Sequence, residues 1–424
     1  MTKVIKTLCL VLFPMGVLGQ QDSLWNLFPE FYAHPFRTVK AQSMINAEAS
    51  NVLDASTANN ALLWRLSRQA DLNNALINEN ASRVQSKNLL GVDNEYALSW
   101  YNLNSGFCKR DSLHYFVRYG LIDRGGASYS GDFFKLLGLG NKAFEGDTAF
   151  AGGLDFRRSR FDYLDFGLIK FFPNRSNLSV SVGVTRGLRF LDVQAPRLQV
   201  YTAPYGTSTD WDINVNAKLT PGNKQTLQYV NGMGAQVSAD FKGLLGPDGA
   251  YAMGVHNLGF MQWSGAQYTK DTSFTYNGWS IPSLNSLNKP NSGQNAFDSI
   301  SSQFWPDSSS FKKVQWLPAY LYASYTMKLF GKQSLEFRFD KVINTPMLPR
   351  VSVAYTYFFG KMYGSTRLST GGYSRLAVTQ SFGLRIRNHC IRVQLYGIQA
   401  WPMPHKSAGI GGGIGYTYIL NRKL

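Results

Sequence analysis

The sequence predicts an all-β fold: a transmembrane antiparallel β-barrel of about 14 strands, within a range of roughly 12 to 16, with a short N-terminal extension. Three observations predict it. From about Asp93 onward the chain falls into segments near ten residues long in which apolar and polar side chains alternate. That is the length a tilted strand needs to cross a bilayer, whereas strands of water-soluble domains average roughly five or six residues. Aromatic side chains gather near segment ends, as in Tyr355, Tyr357, Phe358 and Phe359, or Phe260 and Trp263. Such clusters fit the girdles that mark membrane surfaces. The N-terminus, finally, has the form of an export signal.

That signal is MTKVIKTLCLVLFPMGVLGQ. Lys3 and Lys6 precede an apolar core from Leu8 to Val17, and the small-residue end at Gly19 sets the expected cleavage, so residues 1–19 are excluded from the fold. Residues 20–92 are expected to form an N-terminal periplasmic or plug-like segment, rich in Asn, Ala, Ser and Gln from Ala41 to Val84. Within it Ala61–Leu66 is apolar, and periodicity does not separate a helix from a first strand there. The barrel is expected over 93–424.

Each later segment keeps one apolar face. Val117 and Tyr119 alternate with Arg118, Leu164 and Phe166 with Asp165, and Val180, Val182 and Val184 with Ser181 and Gly183. Ile213, Val215 and Ala217 alternate with Asp212, Asn214 and Lys218, and Val237, Ala239 and Phe241 with Ser238 and Asp240. Leu335, Phe337 and Phe339 alternate with Glu336, Arg338 and Asp340. Val351, Val353 and Tyr355 alternate with Ser352, Ala354 and Thr356; Leu384 and Ile386 with Arg385 and Arg387; Ile391 and Val393 with Arg392. The last segment, Ile410–Leu420, sets Ile414, Tyr416 and Tyr418 against a glycine-rich face. Turn residues separate the segments, as at Gly246-Pro247-Asp248-Gly249 and Arg387-Asn388-His389. Two gaps are longer. One contains a helix-like run, Asp132–Leu137, with Asp132 placed to cap it. The other, Pro282–Ser310, is rich in Ser, Asn and Pro and has Phe297, Ile300 and Phe304 at helical spacing.

Composition excludes several classes. Only 16% of the 424 residues are charged, below the roughly 25% usual for soluble domains. The mean hydropathy of -0.20 and the lack of a long apolar window exclude a bundle of transmembrane helices. The net charge is +17, but no Lys/Arg run exceeds two, so nucleic acid is not expected; outer-membrane lipid is the expected partner. Once the signal is removed, Cys108 and Cys390 remain, which is no disulfide framework. None of the five histidines sits in a nucleophile motif, and there is no zinc spacing or P-loop. GIGGGIG at Gly409–Gly415 has no helix after it and reads as the small-residue face of a strand. No enzyme activity and no cofactor are expected.

Three stretches carry a family resemblance: Asn177–Gly183 (NLSVSVG), Asn257–Trp263 (NLGFMQW) and Phe274–Gly278 (FTYNG). Over residues 110–420 the chain resembles an uncharacterised family of Bacteroidota outer-membrane barrels. That family is distantly similar to fatty-acid-transporter-like barrels and to barrels associated with type nine secretion. The likeness implies the fold and the outer membrane of a Gram-negative bacterium, and little about activity.

The expected lumen-lining residues are Asp212, Asn214, Lys218, Asp240, Glu336, Arg338, Arg385, Arg387 and Arg392. Phe133, Phe134, Leu136 and Leu137 are the expected lid. The expected function is passage or capture of a small molecule, a small hydrophobic ligand among the candidates. The alternative is a structural barrel anchoring a secretion or cell-surface complex through a periplasmic or surface protein.

Overall fold

The structure is a computed structural model. It describes residues 41–67, 74–103, 113–173, 176–221, 230–246, 248–277, 307–330, 332–400, 402, 404–405 and 408–421. The expected signal peptide, Cys108 and most of Pro282–Ser310 lie outside these residues.

The chain opens with β1 (Ala41–Ala55), two short helices α1 (Asn60–Ser67) and α2 (Asn74–Ala81), then β2 (Asn88–Asn102) and β3 (Leu113–Tyr129). Helix α3 (Gly131–Leu139) and the short β4 (Thr148–Phe150) lead into β5 (Leu154–Phe171) and β6 (Asn177–Thr202). Next come β7 (Thr209–Leu219), β8 (Gly232–Leu245), β9 (Gly249–Tyr276), β10 (Asp307–Trp316) and β11 (Tyr320–Lys328). The last are β12 (Gln333–Val342), β13 (Arg350–Phe359), β14 (Met362–Gly371), β15 (Leu376–Ile386), β16 (His389–Tyr396) and β17 (Ile410–Asn421).

Neighbours pair antiparallel around a circle, and β1 joins both β2 and β17, which closes it. Two wall positions are each shared by two collinear strands. β7 and β8 both pair with β6 and β9, and β10 and β11 both pair with β9. β4 continues the line of β5 along β6. Counted this way, the sheet is a closed barrel of 14 strands. The boundary expected at residue 93 moves: residues 41–55 are β1, and the Ala61–Leu66 run lies in α1. The polar composition of β1 hid it. Its inward Asn46, Glu48 and Ser50 face a polar lumen, and its outward positions include Ala47, Ala49 and Asn51, so the apolar signal is weak.

Burial is inverted relative to a water-soluble protein. On β6 Val184 is 64% exposed while Thr185 beside it is 3% exposed; on β13 Val351 is 52% exposed and Ser352 3%. An apolar outer face of this extent is incompatible with water and suited to hydrocarbon. Near one end the outward Trp100 and Phe166 flank Tyr115, at centroid distances of 5.7 and 6.1 Å. Toward the other end the outward register of β3, β5 and β6 changes to ion pairs, Arg158–Asp123 at 2.7 Å and Arg186–Asp162. These charges mark the upper limit of the lipid belt.

The ends differ. Apart from the 103–112 connection, turns at the end holding Ala41 and Asn421 are short, at 172–176, 246–248, 329–332, 360–361 and 387–388. The opposite end has the long connections, including 56–87, 130–153 and 397–409. Short periplasmic turns and long extracellular loops are the rule for such barrels, which makes the short-turn end periplasmic. The upper wall is uneven. β6 and β9 run for 26 and 28 residues, whereas β12, β13 and β14 have 10 each. Among the described residues β10 pairs only with β9, so above β11 the circle is open beside it.

Val182 lies midway along the lipid-facing register of β6. Val182→Arg should therefore lower the stability of the folded barrel in phospholipid bilayers by about 2–4 kcal/mol, read from denaturant titrations in liposomes. An unchanged titration would show that this face does not meet hydrocarbon.

Candidate functional site

A bulge decides what fills the upper lumen. Along lower β9, Gly254 and His256 face inward. At Asn257 the register against β8 slips between Val237 and Ala239, and Asn257 takes φ 59°. Asn tolerates this left-handed conformation better than most residues. Its backbone N–H donates to Ser238 Oγ (3.1 Å) and its amide to Gln236 Oε1 (3.1 Å). The extra residue reverses the alternation. Leu258 and Phe260 then meet lipid, while Met261 and Trp263 point inside and are 0% and 1% exposed. Trp263, expected in an interfacial girdle, is thus in the lumen. Phe358 is also inside, buried on the inward face of β13.

Trp263 stacks on Phe190 with centroids 5.1 Å apart. Ile122, Phe161, Met261 and Phe311 complete a dry cluster across the inner wall. Above and to the side sits the cap. Asn59 caps α1, accepting from Leu62 N–H (2.9 Å), and its own backbone N–H donates to Asn80 Oδ1 (2.8 Å). Leu62, Leu63 and Leu76 pack there with Ala55. Helix α3 is capped by Ser130, whose hydroxyl accepts from Phe133 N–H (3.1 Å), so the expected cap, Asp132, lies inside the first turn. Of the expected lid residues, Phe134 packs on the α1–α2 cluster and Phe133 lies against Tyr129. Leu136 joins Phe144, Ala149 and Val200, whereas Leu137 is 73% exposed. The helix bridges two rim clusters.

Beyond the dry cluster the lumen is lined with paired charges. Arg124 pairs with Asp93 (2.8 Å) and Glu95 (3.3 Å). Arg350 binds Asp340 (2.7 Å), Arg367 binds Glu336 (2.8 Å), and Arg338 donates to Tyr320 OH (2.9 Å) while lying over the Tyr322 ring. Asp240 receives the Tyr322 hydroxyl, and His256 Nε2 lies 2.8 Å from it. Gly254 makes this possible, because a Cβ there would come within 2.5 Å of the Asp240 carboxylate. Buried charge needs such pairing, since a lone ion in a low-dielectric interior is costly.

In the periplasmic half lies a cavity of about 210 Å³. Met44 and Glu48 of β1, Phe116 and Arg118 of β3, Ser179 of β6, Asp240 and Lys242 of β8, and Cys390 and Arg392 of β16 contribute to its wall. The wall is shared between strands beside the β1–β17 closure and β3, β6 and β8.

The expected lumen residues separate. Asp240, Glu336, Arg338 and Arg392 share the inward register, and Arg392 reaches Glu48 (3.3 Å). Arg385 is near the periplasmic rim, its Nε donating to Arg387 O (3.3 Å). Arg387 itself sits in the β15–β16 turn with φ 53° and is exposed, so it is not on the wall. The alternation carries one residue past the strand end, and the two-residue turn interrupts it. Asp212, Asn214 and Lys218 lie on β7, on the inner side of the taller wall above β11. There Arg197 links Asp212 (2.8 Å) and Asp271 (2.6 Å), and Asn214 donates to Asp271 (2.9 Å). Sequence reasoning passed over Glu48 and the phase change at Asn257. An Asn–Leu–Gly inside a strand pattern was the available signal for a bulge.

No family model matches the chain, and no curated protein matches it. Solved structures do. A TodX deltaS2S3 mutant monoaromatic hydrocarbon channel aligns at TM-score 0.47 and 9% identity, over 90% of this chain and 91% of that one. The Pseudomonas putida toluene transporter TodX gives TM-score 0.46 at 8% identity, over 90% and 91%. A Pseudomonas aeruginosa FadL homologue gives 0.43 at 8%, over 93% and 95%. These likenesses are with fatty-acid-transporter-like barrels, and neither a Bacteroidota family nor type nine secretion figures in them. They concern the shape of the chain only.

Arg350→Met should destabilise the barrel by about 3–5 kcal/mol, because it leaves Asp340, 1% exposed, buried and without its closest cation. Asp340→Asn in the same chain should restore much of the loss. A single variant as stable as the parent in urea titration would mean that the pair is solvated.

Proposed function

We propose that this chain is a non-enzymatic outer-membrane barrel that captures a small molecule in its lumen and passes it between the cell surface and the periplasm. The observation that carries this reading is the periplasmic-half cavity. It lies inside a closed barrel, is lined from several walls, and sits below a dry aromatic cluster. Pockets for drug-sized ligands run to roughly 300–1,000 Å³, so a volume of about 210 Å³ implies a smaller occupant. Hydrophobic molecules remain among the candidates, because the Phe190, Trp263 and Phe311 rings and the apolar side of α3 lie between the upper rim and the cavity.

A scaffold role drew its support from residues 20–92 as a separate segment. With 41–55 in the wall and α1 and α2 in the cap, that support is removed for the described part of the segment.

The test is electrophoresis of boiled against unboiled protein, followed by planar-bilayer conductance. We expect a shift on boiling, a small conductance for the parent barrel, and a severalfold larger one for Trp263→Ala, which removes the largest ring from the dry cluster. If the variant keeps the boiling shift and conducts no better than the parent, passage through the lumen is the wrong reading.

A further inference from the structure

We propose that the periplasmic-half cavity is an oxyanion site, with phosphate as the chemical group it takes. The proposal rests on the reading of this cavity as the capture point. Five ionised side chains contribute to its wall: Arg118, Lys242, Arg392, Glu48 and Asp240. Both acids are engaged. Glu48 accepts from Arg392 (3.3 Å), and Asp240 is held by His256 and by the Tyr322 hydroxyl.

Two of the cations are not so matched. Arg118 donates only to neutral oxygens, Ser99 Oγ at 3.1 Å and Tyr101 OH at 3.3 Å. Asp165, its cross-strand neighbour on β5, accepts from the Gln236 amide (2.8 Å) and makes no contact ion pair with Arg118. Lys242 makes no ion pair among the described residues; the acid at its end of the cavity, Asp240, pairs with His256 instead. Arg118 and Lys242 thus line the cavity with no carboxylate in contact ion-pair distance among the described residues. Arg and Lys are donors only, so an occupant that meets both must be an acceptor. A cation without a contact partner inside a barrel is costly, and an anion placed against it reduces that cost.

The remaining wall fits the same chemistry. Ser179, Ser181, Ser238, Asn177 and Thr417 add short polar side chains to the wall; Ser179 and Thr417 donate to Asp240 (3.5 Å) and Asn46 (2.9 Å), whereas Ser238 Oγ accepts from Asn257 N–H and keeps its proton for the cavity. Such groups surround a compact oxyanion well and do little for an apolar body. The small volume points the same way, and the net charge of +17 on the whole chain favours anion approach.

The measurement is equilibrium dialysis of radiolabelled inorganic phosphate against the full mature barrel in detergent, for the parent, Lys242→Gln and Arg118→Gln. Foldedness of each is checked by its unboiled migration. We expect saturable binding that chloride at equal ionic strength does not displace. Lys242→Gln should weaken it by about tenfold, the loss of one charge-assisted contact. Competition by phenyl phosphate would identify the group as one carried by an organic monoester, and competition by sulfate alone as a free inorganic ion; either supports the site. No binding by the parent, or equal binding in a folded Lys242→Gln, overturns it. Because conductance of Trp263→Ala is read separately, a conducting barrel without phosphate binding would sink this assignment and leave the passage reading standing.

Discussion

Hydrocarbon offers no hydrogen bonds, so every backbone N–H and C=O at membrane depth must find its partner within the sheet. The pairing of β1 with β17, from Leu53 opposite Ile410 to Ala41 opposite Asn421, meets that demand. Everything else in the molecule depends on this closure. It removes the sheet's free edges within the lipid belt, fixes which face of every strand is inside, and brings Glu48 of the first strand to Arg392 near the end of the chain. The glycines of β17 allow close approach at the seam, where the inward positions Gly411, Gly413 and Gly415 leave room for neighbouring side chains.

Closure would place strictly alternating side chains in the lumen if the strands were regular. They are not. The shift at Asn257, the register change in β6 near Arg189, and the division of two wall positions into β7/β8 and β10/β11 all fall on one side of the barrel. There the inward set becomes aromatic and aliphatic, while the opposite wall keeps its paired charges. The lumen thus combines a dry stack on one wall with paired charges on the wall facing it. A molecule entering from the surface meets both, since Asp340 and Arg350 sit at the surface ends of β12 and β13. That arrangement is a property of where the bulges lie, since the same side chains without the slip at Asn257 would put Trp263 in lipid.

The same asymmetry explains the uneven rim. The long strands β6 and β9 rise past the lipid belt and carry an exposed polar face containing Arg197, Asp212 and Asp271. Helix α3 joins clusters on both of its sides, so the rim is tied together by side-chain packing rather than by the strand ladder alone.

Period-two alternation determined most of the architecture without reference to tertiary structure: the class, the strand number, and the inward or outward assignment of positions such as Val351 and Ser352, or Arg338 and Phe337. The reason is that two solvents, lipid outside and a polar lumen inside, act on successive residues of one strand. Alternation could not show where a strand ends, so Arg387 was assigned to a wall it does not belong to. It could not locate β1, whose outward side chains are small and mixed, nor show that Asp212 and Lys218 stand above the closed circle. The cavity is likewise a product of closure. Arg118, Lys242 and Arg392 are separated by long stretches of chain, and only the ladder order and register bring them around one space. Which cation finds an acid there depends on side-chain geometry across the lumen, and no local pattern in the sequence encodes that.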